Sequence, residues 1–238
     1  MSEEDFERTW LKKFSRCLGE IAGEEIRKEI MKGSEGLSVN SSREKVITWS
    51  KEAMEKMDSL VDEKKRIDIV TSCACQYPTA NLHEIRKTYE KTKDIDVVHR
   101  MLQEQFVSFL KNGLRLNHEL TEDIVNRGWG SAGIKKGTTI IATKIPKSGY
   151  LLEYVKESDP EKKRALYCHC PRVREAIKTG TTISPTYCYC GAGFYKGIWE
   201  YILQRPVEVE VLESVLQGDE VCKIAIYLSP DEKGNNLH

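Results

Sequence analysis

The chain has 238 residues, and its 37 Lys and Arg balance 37 Asp and Glu for a formal net charge of zero. That length buries a substantial core without disulfide staples, and the balanced charge gives no overall field that draws nucleic acid or anionic lipid, so neither is expected as a partner. The opening residues MSEEDFERTW carry neither a basic nor an apolar stretch, and no apolar run approaches a bilayer-spanning length; the expectation is a soluble, cytoplasmic protein with no membrane contact.

Over 5–32, Phe6, Trp10, Phe14, Leu18, Ile21 and Ile30 recur at three- and four-residue steps and predict one amphipathic helix, which GSEGLSVNSS then breaks. Asn40 to Ser42 offer caps for a second helix reaching about Leu60, with Val46, Ile47, Met54 and Met57 facing inward. Further helices are predicted over 81–93, 95–112 and 119–127, and the charged runs DEKKR and PEKKR read as solvated faces.

At GWGSAGIKKG the glycines mark a turn; it lacks the Gly-Lys-Ser/Thr ending of a phosphate-binding loop. TTIIATKI is β-branched enough for a strand, and 150–155 and 165–169 are predicted to pair as strands across KESDPEKK. GAGFYKGIWEYILQ predicts a helix burying Phe194, Ile198, Trp199 and Ile202 and stopped by Pro206. VEVEVLESVL and EVCKIAIYL, joined by QGD, predict a hairpin.

The expected fold class is α+β, with a mainly helical region over 1–130, a module over 131–230 built from an antiparallel sheet with packed helices, and a flexible tail over 231–238. Whether the helical region stands apart or wraps the module is open at this stage.

Three Cys-x-Cys doublets stand out: Cys73/Cys75, Cys168/Cys170 and Cys188/Cys190. In a reducing compartment, clustered cysteines point to metal or redox chemistry rather than to a disulfide framework. Pro171 after Cys170 and Gly191 after Cys190 place two doublets where the chain enters a helix, whose N-terminus stabilises thiolate. The expected metal ligands are Cys168, Cys170, Cys188 and Cys190, with Cys73 and Cys75 predicted to approach them; the alternative is that the thiols are small buried hydrophobes. An all-thiolate shell suits zinc, with an iron–sulfur cluster as the alternative. His169, between two cysteines, would point away from them on a strand, and Cys17 reads as packing.

From Cys188 to the end of KIAIYL, the helix GFYKGIWEYILQRPVEVEV and the return strand GDEVCKIAI resemble the 4-vinyl-reductase-type domain. That domain is a small α+β ligand-binding module, found in the sensor domains of phenol-responsive bacterial regulators and, more loosely, in aminothiazoline-carboxylate hydrolases. The resemblance covers only the C-terminal part of the chain. It implies a zinc site in which Cys188 falls on the first ligand and Cys222 on the last, while Ser214 and Val211 stand where the sensors have a cysteine and a glutamate.

The leading functional expectation is a cysteine-rich metal-binding protein that binds or senses a small molecule, in a pocket lined by Phe194, Tyr195, Trp199 and Trp129. The alternatives are a metal- or iron–sulfur-dependent hydrolase or redox enzyme, and a thiol redox switch. A second copy of the chain is a further partner the sequence allows.

Overall fold

A computed structural model of the chain describes residues 3–38 and 40–229, so the predicted flexible tail over 231–238 lies outside the described residues. The fold is α+β: helices dominate the first half, and a four-stranded antiparallel sheet lies in the second, in the order β1 (Ile134–Lys136), β2 (Thr139–Thr143), β4 (Lys223–Tyr227), β3 (Glu208–Glu213). No helix among the described residues is long and apolar enough to cross a membrane.

The predicted first helix is two, α1 (Glu3–Ala22) and α2 (Glu24–Met31), because Gly23 at φ 94° closes the first and turns the chain back. Next come α3 (Arg43–Leu60), capped by Ser42, and α4 (Glu63–Ser72), which the charge run had hidden. The α4 signal is Asp62, whose carboxylate accepts from the Lys65 N–H. The helices α5 (His83–Thr92), α6 (Ile95–Ser108) and α7 (His118–Asn126) fall close to expectation, with a π turn over Phe109–Gly113 closing α6.

Two predictions about the sheet are corrected. The segments over 150–155 and 165–169 are helices, α8 (Leu151–Lys156) and α9 (Pro160–Tyr167), not paired strands. Turn chemistry decided this: Asp159 accepts from the Glu161 and Lys162 N–H groups and Pro160 takes the first helical position, so the presumed loop is a helix start. Replacing Asp159 by Ala is expected to lower the urea unfolding midpoint, because the Glu161 and Lys162 N–H groups lose their cap. The glycine-rich turn, in turn, contains a short strand, β1 (Ile134–Lys136), paired with β2 (Thr139–Thr143).

Beyond the next two helices, α10 (Pro171–Thr179) and α11 (Tyr189–Leu203), the last strands are β3 (Glu208–Glu213) and β4 (Lys223–Tyr227). They are joined by the whole stretch from Ser214 to Cys222 rather than by QGD alone. Asp219 accepts the Ser214 N–H at 2.8 Å and folds that loop back on itself, which leaves Cys222 just ahead of β4.

The two apolar cores each draw on both halves of the chain. One joins Phe14, Met54 and Val70 to Tyr167, Val173 and Tyr187; the other joins Ile85 and Leu102 to Trp199, Ile202 and the inner face of the sheet, Ile140 and Ile226. The helical region therefore wraps the sheet and α11, and α4 lies directly on α11. That packing is what brings distant cysteines together.

Candidate functional site

A cavity of about 720 Å³ opens where the end of β2, the α9–α10 junction, the start of α11, the start of β4 and the loop after α4 converge. Six of the eight cysteines line it: Cys75, Cys168, Cys170, Cys188, Cys190 and Cys222. Size and shape fall in the range of small-molecule sites.

The doublets do not act as doublets. The stretch Pro185–Cys188 is a single helical turn that runs straight into α11, so Cys188 and Cys190 lie inside one helical run that starts at Ser184. On such a run, residues i and i+2 point about 200° apart. Cys188 accordingly shares a hydrogen bond with Cys222 and neighbours Cys168, whereas Cys190 faces Cys170 and Cys75. Two sulfur groups result, Cys168/Cys188/Cys222 and Cys170/Cys190/Cys75. Cys188 is the N-cap of α11, so this doublet stands at a helix start as expected, with one tighter turn running into it.

Lys144, from the residue after β2, lies between the groups, with Cys168, Cys222, Cys190 and Cys170 as its electrostatic neighbours. Its Nζ is packed on the first turn of α11, 3.9 Å from where a Cβ on Gly191 would fall. Burial pushes the ammonium down, but the charge of these thiols outweighs it and the net direction is up.

Burial pushes Cys168 and Cys190 up to about 12, and the shared hydrogen bond followed by burial pushes Cys188 well above the ordinary thiol range. Cys222 goes the other way, to about 7, because it accepts from Cys188 and gains from Lys144 and the Val215 N–H against the cost of burial.

The outer group has a polar backing. Tyr187 places its hydroxyl 3.4 Å from the Cys170 sulfur and accepts from Arg172 Nη1 at 3.2 Å, and Arg172, fully buried, is ion-paired to Glu7 of α1. The indole N–H of Trp10, which has no hydrogen-bond partner of ordinary geometry, faces the Cys190 sulfur.

Cys75 thus reaches the C-terminal cysteines as expected, but its doublet partner does not line the cavity. Cys73 is buried behind it and shares a hydrogen bond with Cys17. The reason is α4, whose last turn holds the Cys73 thiol on the Ile69 carbonyl at 3.1 Å. His169 lies at the cavity wall, one ring nitrogen 2.8 Å from the Ile145 carbonyl.

Of the aromatic residues expected at the pocket, Phe194 and Tyr195 line it. Trp199 is in the core beneath the sheet, because Tyr195, Trp199 and Ile202 form the inward stripe of α11. Trp129 packs edge-on to Tyr154, ring centres 5.9 Å apart, in the other core. The residues that sequence reasoning missed are Lys144, Arg172, Tyr187 and Trp10; a lysine closing an otherwise apolar strand was the one visible signal.

Among the described residues, no three side chains of His, Cys, Asp or Glu already form a group that could hold a metal ion. Thiols are nonetheless the donor type that a thiophilic ion takes, and the Trp10 N–H, without a partner among the described residues, is a donor of the kind that supports a thiolate.

Residues 157–232 match the model of a family of unknown function (DUF6144), a stretch that holds both sulfur-bearing helix starts and Cys222. No curated protein and no solved structure matches the chain.

Proposed function

We propose that the protein binds a small molecule in the thiol-lined cavity and holds a thiophilic metal centre on its wall. The observation that carries this reading is the convergence of six cysteines, from the α4 loop, the α9–α10 junction, α11 and the approach to β4, on one cavity that aromatic side chains also line. Packing cysteines alone would scatter through the core, as Cys17 does.

Cys168, Cys188 and Cys222 would hold the ion, zinc or alternatively an iron–sulfur cluster, with the remaining position turned to the cavity. Such a centre supplies Lewis acidity or one-electron chemistry to whatever occupies that position. The resemblance to 4-vinyl-reductase-type modules supports the same pair, Cys188 and Cys222.

The test is elemental analysis and a visible spectrum of protein purified without oxygen. About one zinc per chain, or iron with sulfide, is expected. Cys188→Ser and Cys222→Ser are each expected to lose the metal, while Cys17→Ser keeps it. A metal-free protein, or unchanged metal content in both variants, overturns the metal reading.

A dithiol redox switch is the second reading, favoured by the hydrogen-bonded pair Cys188/Cys222. A metal-free protein whose free-thiol count drops by a pair under mild disulfide exchange would support it.

A further inference from the structure

We infer that the molecule taken by this cavity is a small organic anion with an apolar body, held at its charge by Lys144 and along its body by the aromatic wall. The inference rests on the reading that the cavity binds a small molecule, and it names the class of that molecule.

Among the described residues, no Asp or Glu lines the cavity, and its basic side chains are Lys144 and His169. His169 commits a ring nitrogen to the Ile145 carbonyl. Lys144 makes no side-chain hydrogen bond and no carboxylate ion pair among the described residues.

Its thiol neighbours have donors of their own. The Cys170 N–H approaches Cys168, the Val215 N–H approaches Cys222, the Ser214 hydroxyl approaches Cys188, and the Tyr187 hydroxyl stands beside Cys170. Lys144 therefore brings a basic side chain with no hydrogen-bond acceptor among the described residues to a cavity without carboxylates.

A neutral occupant would make weaker hydrogen bonds with that side chain, and a cation would be repelled by it. An anionic one closes charge-assisted hydrogen bonds.

The aromatic lining selects the rest of the molecule. Phe194 meets Tyr77 edge-on at 5.7 Å, and Phe106 lies tilted against Phe109 at 6.4 Å, which offers flat apolar surface to a ring.

The experiment compares two fluorescent probes of nearly the same shape on the full chain as purified: anilinonaphthalene sulfonate, which is anionic, and phenylnaphthylamine, which is neutral. The wild-type protein is expected to bind the sulfonate at least about ten-fold more tightly. Lys144→Met is expected to lose about ten-fold for the sulfonate while leaving the neutral probe unchanged, and Lys144→Arg to restore it. Phe194→Ala should weaken both probes alike, which places them in this cavity; a thermal melt of each variant confirms folding.

Equal affinity for both probes in wild type overturns the inference and leaves the small-molecule reading standing. So does a Lys144→Met variant that changes metal content but not the probe ratio, since Lys144 then balances thiolate charge. Failure of both probes to bind overturns the small-molecule reading and this inference with it.

Discussion

Gly193→Ala is expected to destabilise the protein by about 3 kcal/mol or more, while Gly197→Ala, one turn further along α11, stabilises it by up to about 1 kcal/mol. A Cβ on Gly193 would lie 2.1 Å from the Thr71 carbonyl oxygen and 2.7 Å from the Thr71 Cα, both backbone atoms of α4. Neither helix has a side chain to move aside, so α4 and α11 must separate.

At Gly197 a Cβ meets nothing within 4 Å, and only the lower conformational entropy of alanine is felt. Chemical denaturation of the two variants decides the matter. Similar midpoints in both would show that α4 does not rest on α11.

The consequence reaches the cavity, because α4 ends at the loop that delivers Cys75 and Tyr77. A Gly193→Ala protein that still folds should show Cys75 alkylating faster, with Cys168 unchanged.

Arg172→Leu is the second large effect, a loss of about 3–5 kcal/mol. The guanidinium is wholly buried, lies 4.1 Å over the Trp10 ring, donates to Tyr187 and pairs with Glu7. Removing it leaves the buried Glu7 carboxylate with Arg43 alone, at 3.3 Å and partly in solvent.

An uncompensated buried charge costs more than the pair contributed, so Glu7→Gln in the Arg172→Leu background should recover part of the loss. Urea unfolding of the four proteins of this cycle measures it. A single-variant loss below about 1 kcal/mol, in the range of exposed pairs, would refute the role of the buried pair.

Arg172 also ties stability to the site. Its hydrogen bond orients the Tyr187 hydroxyl toward Cys170, so the outer sulfur group should lose definition along with the fold. The first turn of α1 and the first turn of α10 are thereby joined immediately behind the thiols.

Much of the architecture was legible because the elements are set by local chemistry. The three- and four-residue apolar steps of α1 and α3, the Ser42 cap and the alternation of VEVEV all act within a few residues, and each marks an observed element, although Gly23 splits the first predicted helix in two. Where two local signals competed, the pattern misled. LLEYV and ALYCH look like strands, but Asp159-Pro160 starts a helix, and a cap with a fixed proline φ outweighs weak β preference. Asp62 likewise starts α4 within a run that reads only as charge.

The candidate site divides along the same line. That cysteines at 168–170 and 188–190 belong to one place follows from their repeated spacing and the turn residues beside them, and Phe194 and Tyr195 follow from α11 being a helix.

Local patterns thus suffice for most of the helices of the first half, α11, the hairpin strands, the balanced charge and the set of thiols. How those thiols are shared out depends on packing. A helical run turns Cys188 and Cys190 to opposite sides, the crossing of α4 on α11 delivers Cys75 but buries Cys73, and the register of β2 against β4 sets Lys144 among four sulfurs. These are outcomes of packing between segments far apart in the chain. Periodicity reports which way a side chain faces on its own element, but not what another element places opposite it.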